Sequence, residues 1–207
     1  MILPALIQQC APQVAPATMT AVVRVESGGN PLAMWNNTTR SLVIPGNRQQ
    51  AIAYLRRAMA SGQRVDVGLA QVDTENFAAF GLTPATAFDA CTNLRAGAQI
   101  LATAYRQAAA TFGSGQTALY HAFEAYNSGR LWGDGVYAQR ILAASGHPFP
   151  LGAGGASPSS GQIYDQAYRV ETVRWNPGRA HSMPEPHRLA YVLTWGPITR
   201  APSPAAP

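Results

Sequence analysis

The stretch VRVESGGNP, residues 23–31, is the part of the chain that restricts the fold most. Apolar residues recur at helical spacing from Met19 onward, and Glu26 continues the same face into the last turn. Two consecutive glycines follow and end the helix. We therefore expect a helix that runs from an N-terminal cap at Thr18 to Ser27 and carries a carboxylate on its buried face.

Glu26 combines two features that raise the pKa of a carboxyl group. Its helical face is apolar, which disfavours the charged form, and a helix C-terminus carries a partial negative charge that repels a carboxylate. A glutamate that keeps its proton near neutral pH is suited to general acid catalysis. Ser27 is placed to hydrogen-bond this carboxyl group or a ligand. Position alone, however, is more typical of a solvated glutamate at a frayed helix end.

Two further strings place polar groups among apolar ones: GLAQV at residues 68–72 and AYNSG at residues 125–129. In the first, a buried Gln71 needs hydrogen-bond partners or faces a ligand, and a satisfied core glutamine is the simpler interpretation. In the second, the hydroxyl group of Tyr126 needs a partner, and Asn127 lies at a helix end. A core tyrosine and a helix-terminating asparagine explain these two residues more simply when each is taken alone.

The remaining pattern predicts a mainly helical domain of the α+β class with short extended segments. Thr92 and Thr117 are the expected N-terminal caps of two long helices. The other predicted segments are helices at 2–10, 48–60, 74–80 and 136–145, an extended run at 65–67, and a short hairpin around 41–44 within an otherwise irregular stretch at 35–46.

Composition supports a packed domain at residues 1–150, followed by a linker and a tail at 151–207. Hydrophobic residues make up 47% of the chain and charged residues only 12%, which argues against wholesale disorder. All 15 basic residues are arginine and they are scattered, so nucleic acid is not an expected partner. No apolar run approaches the roughly 18 residues of a membrane span. The spaced aromatic residues of the tail motivate the hypothesis that it recruits a protein partner.

The two cysteines, Cys10 and Cys91, leave two interpretations open. They form a disulfide bridge, which suits an oxidising compartment, or they are separate buried thiols. The histidines have no ligand-like spacing, and no phosphate-binding glycine loop precedes a helix. We therefore expect neither a metal nor a cofactor. The residues after Met1 lack the basic flank and the full apolar core of a secretion signal.

The strings ESGGNP, GLAQV and AYNSG, in this order, resemble the soluble lytic transglycosylase family, which has a lysozyme-like fold. The run VDVGLAQ and the early cysteine resemble the subgroup that serves conjugation and type IV secretion systems. The resemblance covers about residues 5–148 and implies that Glu26 is the catalytic acid and base. Ala70 stands where the family usually has methionine, and we expect looser packing there. The resemblance also implies a saccharide site lined by Ser27, Gln71, Tyr126 and Asn127.

The resemblance further implies a reaction on peptidoglycan glycan strands in the periplasm, which would open the cell wall locally for a secretion or conjugation channel. Glu26 would protonate the oxygen that links N-acetylmuramic acid to N-acetylglucosamine. It would then act as a base while the muramyl 6-hydroxyl attacks its own anomeric carbon. The 1,6-anhydro product requires one carboxylate, whereas ordinary glycosidases use two.

Two alternatives to this reaction stay open. Asp66 and Asp73 flank the second string and are the rivals for a second carboxylate, although we expect a structural role for Asp66 in its short extended run. A second carboxylate would favour hydrolysis by a lysozyme-type muramidase. The other alternative is a non-catalytic scaffold that binds murein within the secretion system.

Overall fold

The computed structural model of the chain describes residues 3–133 and 135–146. The predicted domain boundary at residue 150, the linker and the tail at 151–207 lie outside the described residues. Within the described ranges, none of the helices combines the length and the hydropathy that a membrane span needs.

The described ranges contain seven helices and one four-stranded antiparallel sheet, so the expected mainly helical class is confirmed. The helices are α1 (Leu3–Cys10), α2 (Pro16–Ser27), α3 (Arg48–Ala60), α4 (Phe77–Phe80), α5 (Ala90–Phe112), α6 (Gln116–Ser128) and α7 (Val136–Ala144). The strands are β1 (Met34–Asn36), β2 (Ser41–Val43), β3 (Val65–Val67) and β4 (Val72–Asp73).

The long helix α5 is central to the helical core. Small buried residues on its inner face, such as Ala104 and Ala108, let α6 approach closely along it. Larger side chains, including Leu94, Leu101 and Phe123, fill the remaining space, and burial of each contributes roughly 1.5–3 kcal/mol. Helix α2 packs against both α1 and α7, which places its C-terminal turn beside α7.

The two cysteines form a disulfide bridge, which decides between the two interpretations left open by the sequence. Cys10 is the last residue of α1, and Cys91 lies in the first turn of α5, 81 residues later. A bridge that closes a loop of this length stabilises the fold by about 4 kcal/mol in the chain-entropy model. It also fixes α1, which contacts α2, to the helix at the centre of the core.

The sheet has the strand order β2-β1-β3-β4, and its two faces differ sharply in burial. Met34, Val65 and Val67 point to one face and are fully buried in the core. The residues that alternate with them point to the opposite face, because side chains along a strand alternate between the two faces. Trp35 pairs with Leu42 on one side and with Asp66 on the other.

The hairpin prediction was right for one strand and wrong for the other. Residues 41–43 do form a strand, but their partner is β1, which was expected to be irregular. A buried amide explains this pairing: Asn36 accepts hydrogen bonds from the backbone N–H groups of Thr38 and Thr39, each at 3.0 Å, and shapes the turn after β1. Its side-chain nitrogen donates to the hydroxyl group of Tyr54 at 2.7 Å.

The three predicted threonine caps are wrong. Helix α2 begins at Pro16 rather than after Thr18, because proline at the first helical position has the required φ and lacks the N–H that a cap would satisfy. Helix α5 begins at Ala90, where the Asp89 side chain accepts the hydrogen bond from the N–H of Thr92. Helix α6 begins one residue before Thr117, with Gly115 at its N-cap.

Candidate active site

Glu26 lies in the last turn of α2, where the helix ends at Gly28. Gly28 adopts a left-handed conformation with a φ of 61°, and its N–H bonds to the carbonyl of Arg24 at 3.2 Å. Burial raises the pKa of Glu26 from 4.5 to about 7, while a hydrogen bond from Tyr137 and the positive charge of Arg140 lower it. The carboxyl group can therefore hold a proton near neutral pH, as its sequence position predicted.

Tyr137 is the immediate partner of this carboxyl group, and sequence reasoning did not identify it. Its hydroxyl group donates a hydrogen bond to Oε1 of Glu26 from the first turn of α7. Its ring stacks on that of Tyr126, with the centroids 6.5 Å apart and the planes at 11°. A buried tyrosine hydroxyl needs a polar partner, and this was the one signal in the sequence that could have pointed to Tyr137.

Helix α7 owes its position to a second buried carboxylate, Glu124 of α6. The Glu124 side chain is 4% exposed and accepts hydrogen bonds from the N–H groups of Gly135 at 3.3 Å and Ala138 at 3.1 Å. A carboxylate at a helix N-terminus is stabilised by these N–H groups and by the helix dipole. A Cβ at Gly133 would collide with Oε2 of Glu124, so any larger residue there requires the Glu124 side chain to move.

The loop of residues 68–72 is held in a conformation that few side chains tolerate. Gly68 has a φ of 80°, and a Cβ there would lie 2.6 Å from Nδ2 of Asn93. Asn93 is buried in α5, where it donates to the carbonyl of Val67 at 2.8 Å and accepts from the N–H of Ala70 at 2.8 Å. Sequence reasoning missed this asparagine, which fixes the loop to the core helix.

Three of the predicted site residues hold the same loop. Tyr126 donates to the carbonyl of Ala70 at 2.6 Å, and Ser27 donates to the carbonyl of Leu69 at 2.8 Å. Gln71 has a positive φ of 45°, and its Nε2 donates to the carbonyls of Gly68 at 2.8 Å and Ala33 at 3.1 Å. The hydroxyl group of Ser27 is thus directed to the backbone rather than to the Glu26 carboxyl group.

The expected looser packing at Ala70 is wrong. Ala70 is fully buried. Its Cβ lies so close to Gly97 of α5 that a side chain at position 97 would collide with it. The Tyr126 hydroxyl group lies 3.0 Å from the same position. The small residue at position 70 is therefore matched by a glycine on α5, and the loop packs directly against the helix backbone.

These elements enclose a polar cleft of about 260 Å³. Gln71, Tyr126 and Asn127 line it together with Glu26, whereas Ser27 is not among its lining residues. Three of the lining residues, Asn37, Arg64 and Ser128, were predicted neither as site residues nor as rivals for a second carboxylate. The full lining consists of Glu26, Asn37, Arg64, Asp66, Gln71, Asp73, Tyr126, Asn127 and Ser128.

Asp66, for which the sequence favoured a structural role, is a second carboxylate that lines this cleft. Burial is the main reason that its pKa rises from 3.8 to about 7, and the nearby Asp73 and Glu26 raise it further. A hydrogen bond from the Asn37 side chain acts in the opposite direction. Asp73, the other acidic side chain of the cleft, forms a salt bridge with Nη2 of Arg64 at 2.7 Å.

Comparison with known proteins identifies the architecture around the cleft. The family model described as "Transglycosylase SLT domain" matches residues 5–133, which include every lining residue. The chain belongs to this transglycosylase family. In residues 3–133 and 135–146, no group of three or more His, Cys, Asp or Glu side chains could hold a metal ion.

Curated relatives carry type IV secretion names. The chain is 39% identical over 148 residues to the type IV secretion system protein virB1 of Brucella abortus, a match that covers 68% of the chain and 62% of the relative. It is 38% identical over 122 residues to the protein virB1 of Agrobacterium fabrum, which covers 59% of the chain and 49% of that relative. The matches thus span less than two thirds of these relatives. No solved structure matches the chain.

The first testable prediction concerns Tyr137. Tyr137→Phe removes the hydrogen bond that lowers the pKa of Glu26 and keeps the ring, so we expect that pKa to rise above its value of about 7. A ¹³C NMR titration of the Glu26 carboxyl carbon measures it. Tyr105→Phe is the matched control, because its hydroxyl group bonds to the N–H of Gly115 outside the cleft. An unchanged or lower pKa in Tyr137→Phe would contradict the assignment.

The second prediction concerns stability. The pKa of Glu26 is about 7 in the folded protein against a usual 4.5, so its stabilising contribution is fully present below pH 4.5 and is lost as the pH rises through 7. Glu26→Gln stays neutral and should raise the free energy of unfolding at pH 8 by about 3 kcal/mol. Urea unfolding of both proteins at pH 8 and pH 4 measures this gain. A gain of equal size at both pH values would refute the explanation.

Proposed function

We propose that this domain is a peptidoglycan lytic transglycosylase that cleaves the bond between N-acetylmuramic acid and N-acetylglucosamine and forms a 1,6-anhydro-muramyl product. The observation that carries the proposal is the Glu26 carboxyl group, which lies in a polar cleft with a pKa of about 7 and a tyrosine hydroxyl bonded to it. Membership of the transglycosylase family supports the same reaction class.

The proposed reaction uses Glu26 twice. Its proton passes to the glycosidic oxygen as the bond to the muramyl anomeric carbon breaks, and the carboxyl group becomes a carboxylate. The 6-hydroxyl of the same muramyl ring then attacks this carbon and returns its proton to Glu26. The hydrogen bond from Tyr137 and the positive charge of Arg140 favour the carboxylate formed between the two steps, since both lower the pKa of Glu26. The cycle restores the acid and consumes no water.

The other site residues divide into two proposed groups. Gln71 and Asn127 line the cleft and contact the saccharide, where amide groups suit hydroxyl and acetamido partners. Tyr126 also lines the cleft, and its hydroxyl group holds the loop that carries Gln71. Ser27 acts on the same loop through Leu69. Its support for saccharide binding is therefore indirect.

We also propose a biological setting. The curated relatives are named as virB1 proteins, and those of Brucella as type IV secretion system proteins, so a local opening of the cell wall for a secretion or conjugation apparatus fits the reaction. A periplasmic location agrees with the bridge between Cys10 and Cys91. Residues 151–207 are the proposed contact with secretion components, on the basis of their spaced aromatic side chains.

Hydrolysis remains the second candidate because Asp66 shares the cleft with Glu26. In glycosidases that hydrolyse their substrate, a second carboxylate activates water or forms a covalent intermediate. Both carboxyl groups have pKa values of about 7, and the charge of Glu26 raises the pKa of Asp66 because like charges repel. The nature of the released ends distinguishes the two reactions.

The third prediction tests the reaction directly. Glu26→Gln should lower the rate of muropeptide release from purified sacculi by about a hundred- to ten-thousand-fold, since it removes the general acid. Mass spectrometry of the wild-type products should show 1,6-anhydro ends. Asp89→Asn is the matched control, because Asp89 is exposed and not among the cleft-lining residues, and asparagine keeps the oxygen that accepts from the N–H of Thr92. Undiminished release by Glu26→Gln would exclude the catalytic assignment, and reducing ends would exclude the anhydro product.

The fourth prediction concerns Asp66. Asp66→Asn should leave the 1,6-anhydro ends unchanged, because the proposed reaction requires only one carboxylate. The charge interaction between Glu26 and Asp66 is reciprocal, so removing the Asp66 charge should also shift the alkaline limb of the pH–rate profile to lower pH. The pH profile of muropeptide release, together with product analysis, measures both effects. A loss of rate as large as that of Glu26→Gln would instead favour hydrolysis with Asp66 as the second carboxylate.

A further inference from the structure

One row of side chains crosses the whole sheet on the face opposite to the core. Direct cross-strand pairs join Asp73 to Asp66, Asp66 to Trp35 and Trp35 to Leu42, one residue from each strand. Residues that face each other across antiparallel strands project to the same side of the sheet. Because Asp66 and Asp73 line the cleft, Trp35 and Leu42 continue the surface of the cleft beyond its carboxylates.

These two apolar side chains are more exposed than a packing role requires. Trp35 is 39% exposed and Leu42 is 62% exposed, whereas the opposite face of the sheet is fully buried at Met34 and Val67. A large apolar side chain that stays in water next to a ligand cleft indicates a contact surface.

We propose that Trp35 is a stacking platform for a further sugar ring of the glycan strand, with Leu42 as its outer apolar margin. This inference rests on the proposed function. A pyranose ring presents an apolar C–H face that fits the flat indole, and its polar edge remains in water. Trp35 and Asp66 face each other on neighbouring strands, about 5 Å apart, so a ring on Trp35 lies next to a ring bound beside Asp66 in the cleft.

The surroundings favour a saccharide over a protein partner. The row places two carboxylates directly beside the indole. A glycan strand can match both, because each sugar ring has polar edges and an apolar face. A stable protein interface buries about 800 Å² on each partner, far more than two exposed side chains supply. The platform is thus a specificity-determining extension of the cleft, which selects longer strands over short fragments.

The experiment uses the full chain with Glu26→Gln, in which the probe is not cleaved. N-acetylglucosamine oligomers of increasing length are titrated, and NMR follows the tryptophan indole N–H signals. Trp35→Phe assigns the Trp35 signal by its absence. We expect long oligomers to shift that signal and short ones to leave it in place. Adding Trp35→Ala should weaken the binding of long oligomers about fivefold to tenfold and leave the binding of short ones unchanged, while Trp35→Phe keeps most of the affinity.

Trp132→Ala is the matched control, because Trp132 is 40% exposed and is not among the cleft-lining residues. It should leave the binding of all oligomers unchanged, and circular dichroism confirms the fold of each variant. Oligomer binding that is normal in Trp35→Ala, with an unmoved Trp35 signal, would overturn the platform and leave the proposed function intact. Loss of self-association in Trp35→Ala with unchanged oligomer binding would make this face a protein contact instead. If the Glu26→Gln protein binds no oligomer at all, the glycan cleft itself is refuted and the platform with it.

Discussion

The withdrawal of the Glu26 carboxyl group from water is the constraint on which the rest of the site depends. A group with a pKa of about 7 at this position requires burial on several sides, and each side comes from a different part of the chain. Helix α2 supplies the glutamate, α7 supplies Tyr137, and the strand β3 supplies the neighbouring Asp66. Helices α5 and α6 pack against one another in the core. Because a protein interior is close-packed, the elements around the carboxyl group have little freedom to move away from it.

The local parts of this arrangement could be predicted from the sequence. The helix that carries Glu26 ends at a glycine as expected, and Gln71, Tyr126 and Asn127 line the same cleft. Tyr137 was not found because its partner is 111 residues away in the chain, and helical periodicity says nothing about such a pair. The same holds for Asn93, whose loop contacts are long-range and whose buried amide looks like any polar residue in a helix.

The sheet resisted prediction for a different reason. Its strands have only two or three residues, too few for an alternating pattern to emerge. The face to which Asp66 and Trp35 project is set by the pairing register, and a shift of one residue would reverse it. The threonine caps failed because proline, aspartate and glycine earlier in the chain already start these helices. The cleft could thus be located from its helical side and not from its β side.

Helix α6 couples the positions of the two walls of the cleft. Glu124 holds the start of α7, and Tyr126, two residues later, holds the loop beside Gln71. Side chains from a single turn of α6 therefore hold both walls of the cleft in place. A change that shifts this turn moves both walls together, so substitutions at these two positions should combine non-additively. The width of the cleft is therefore set by the geometry of one helical turn and not by two independent contacts.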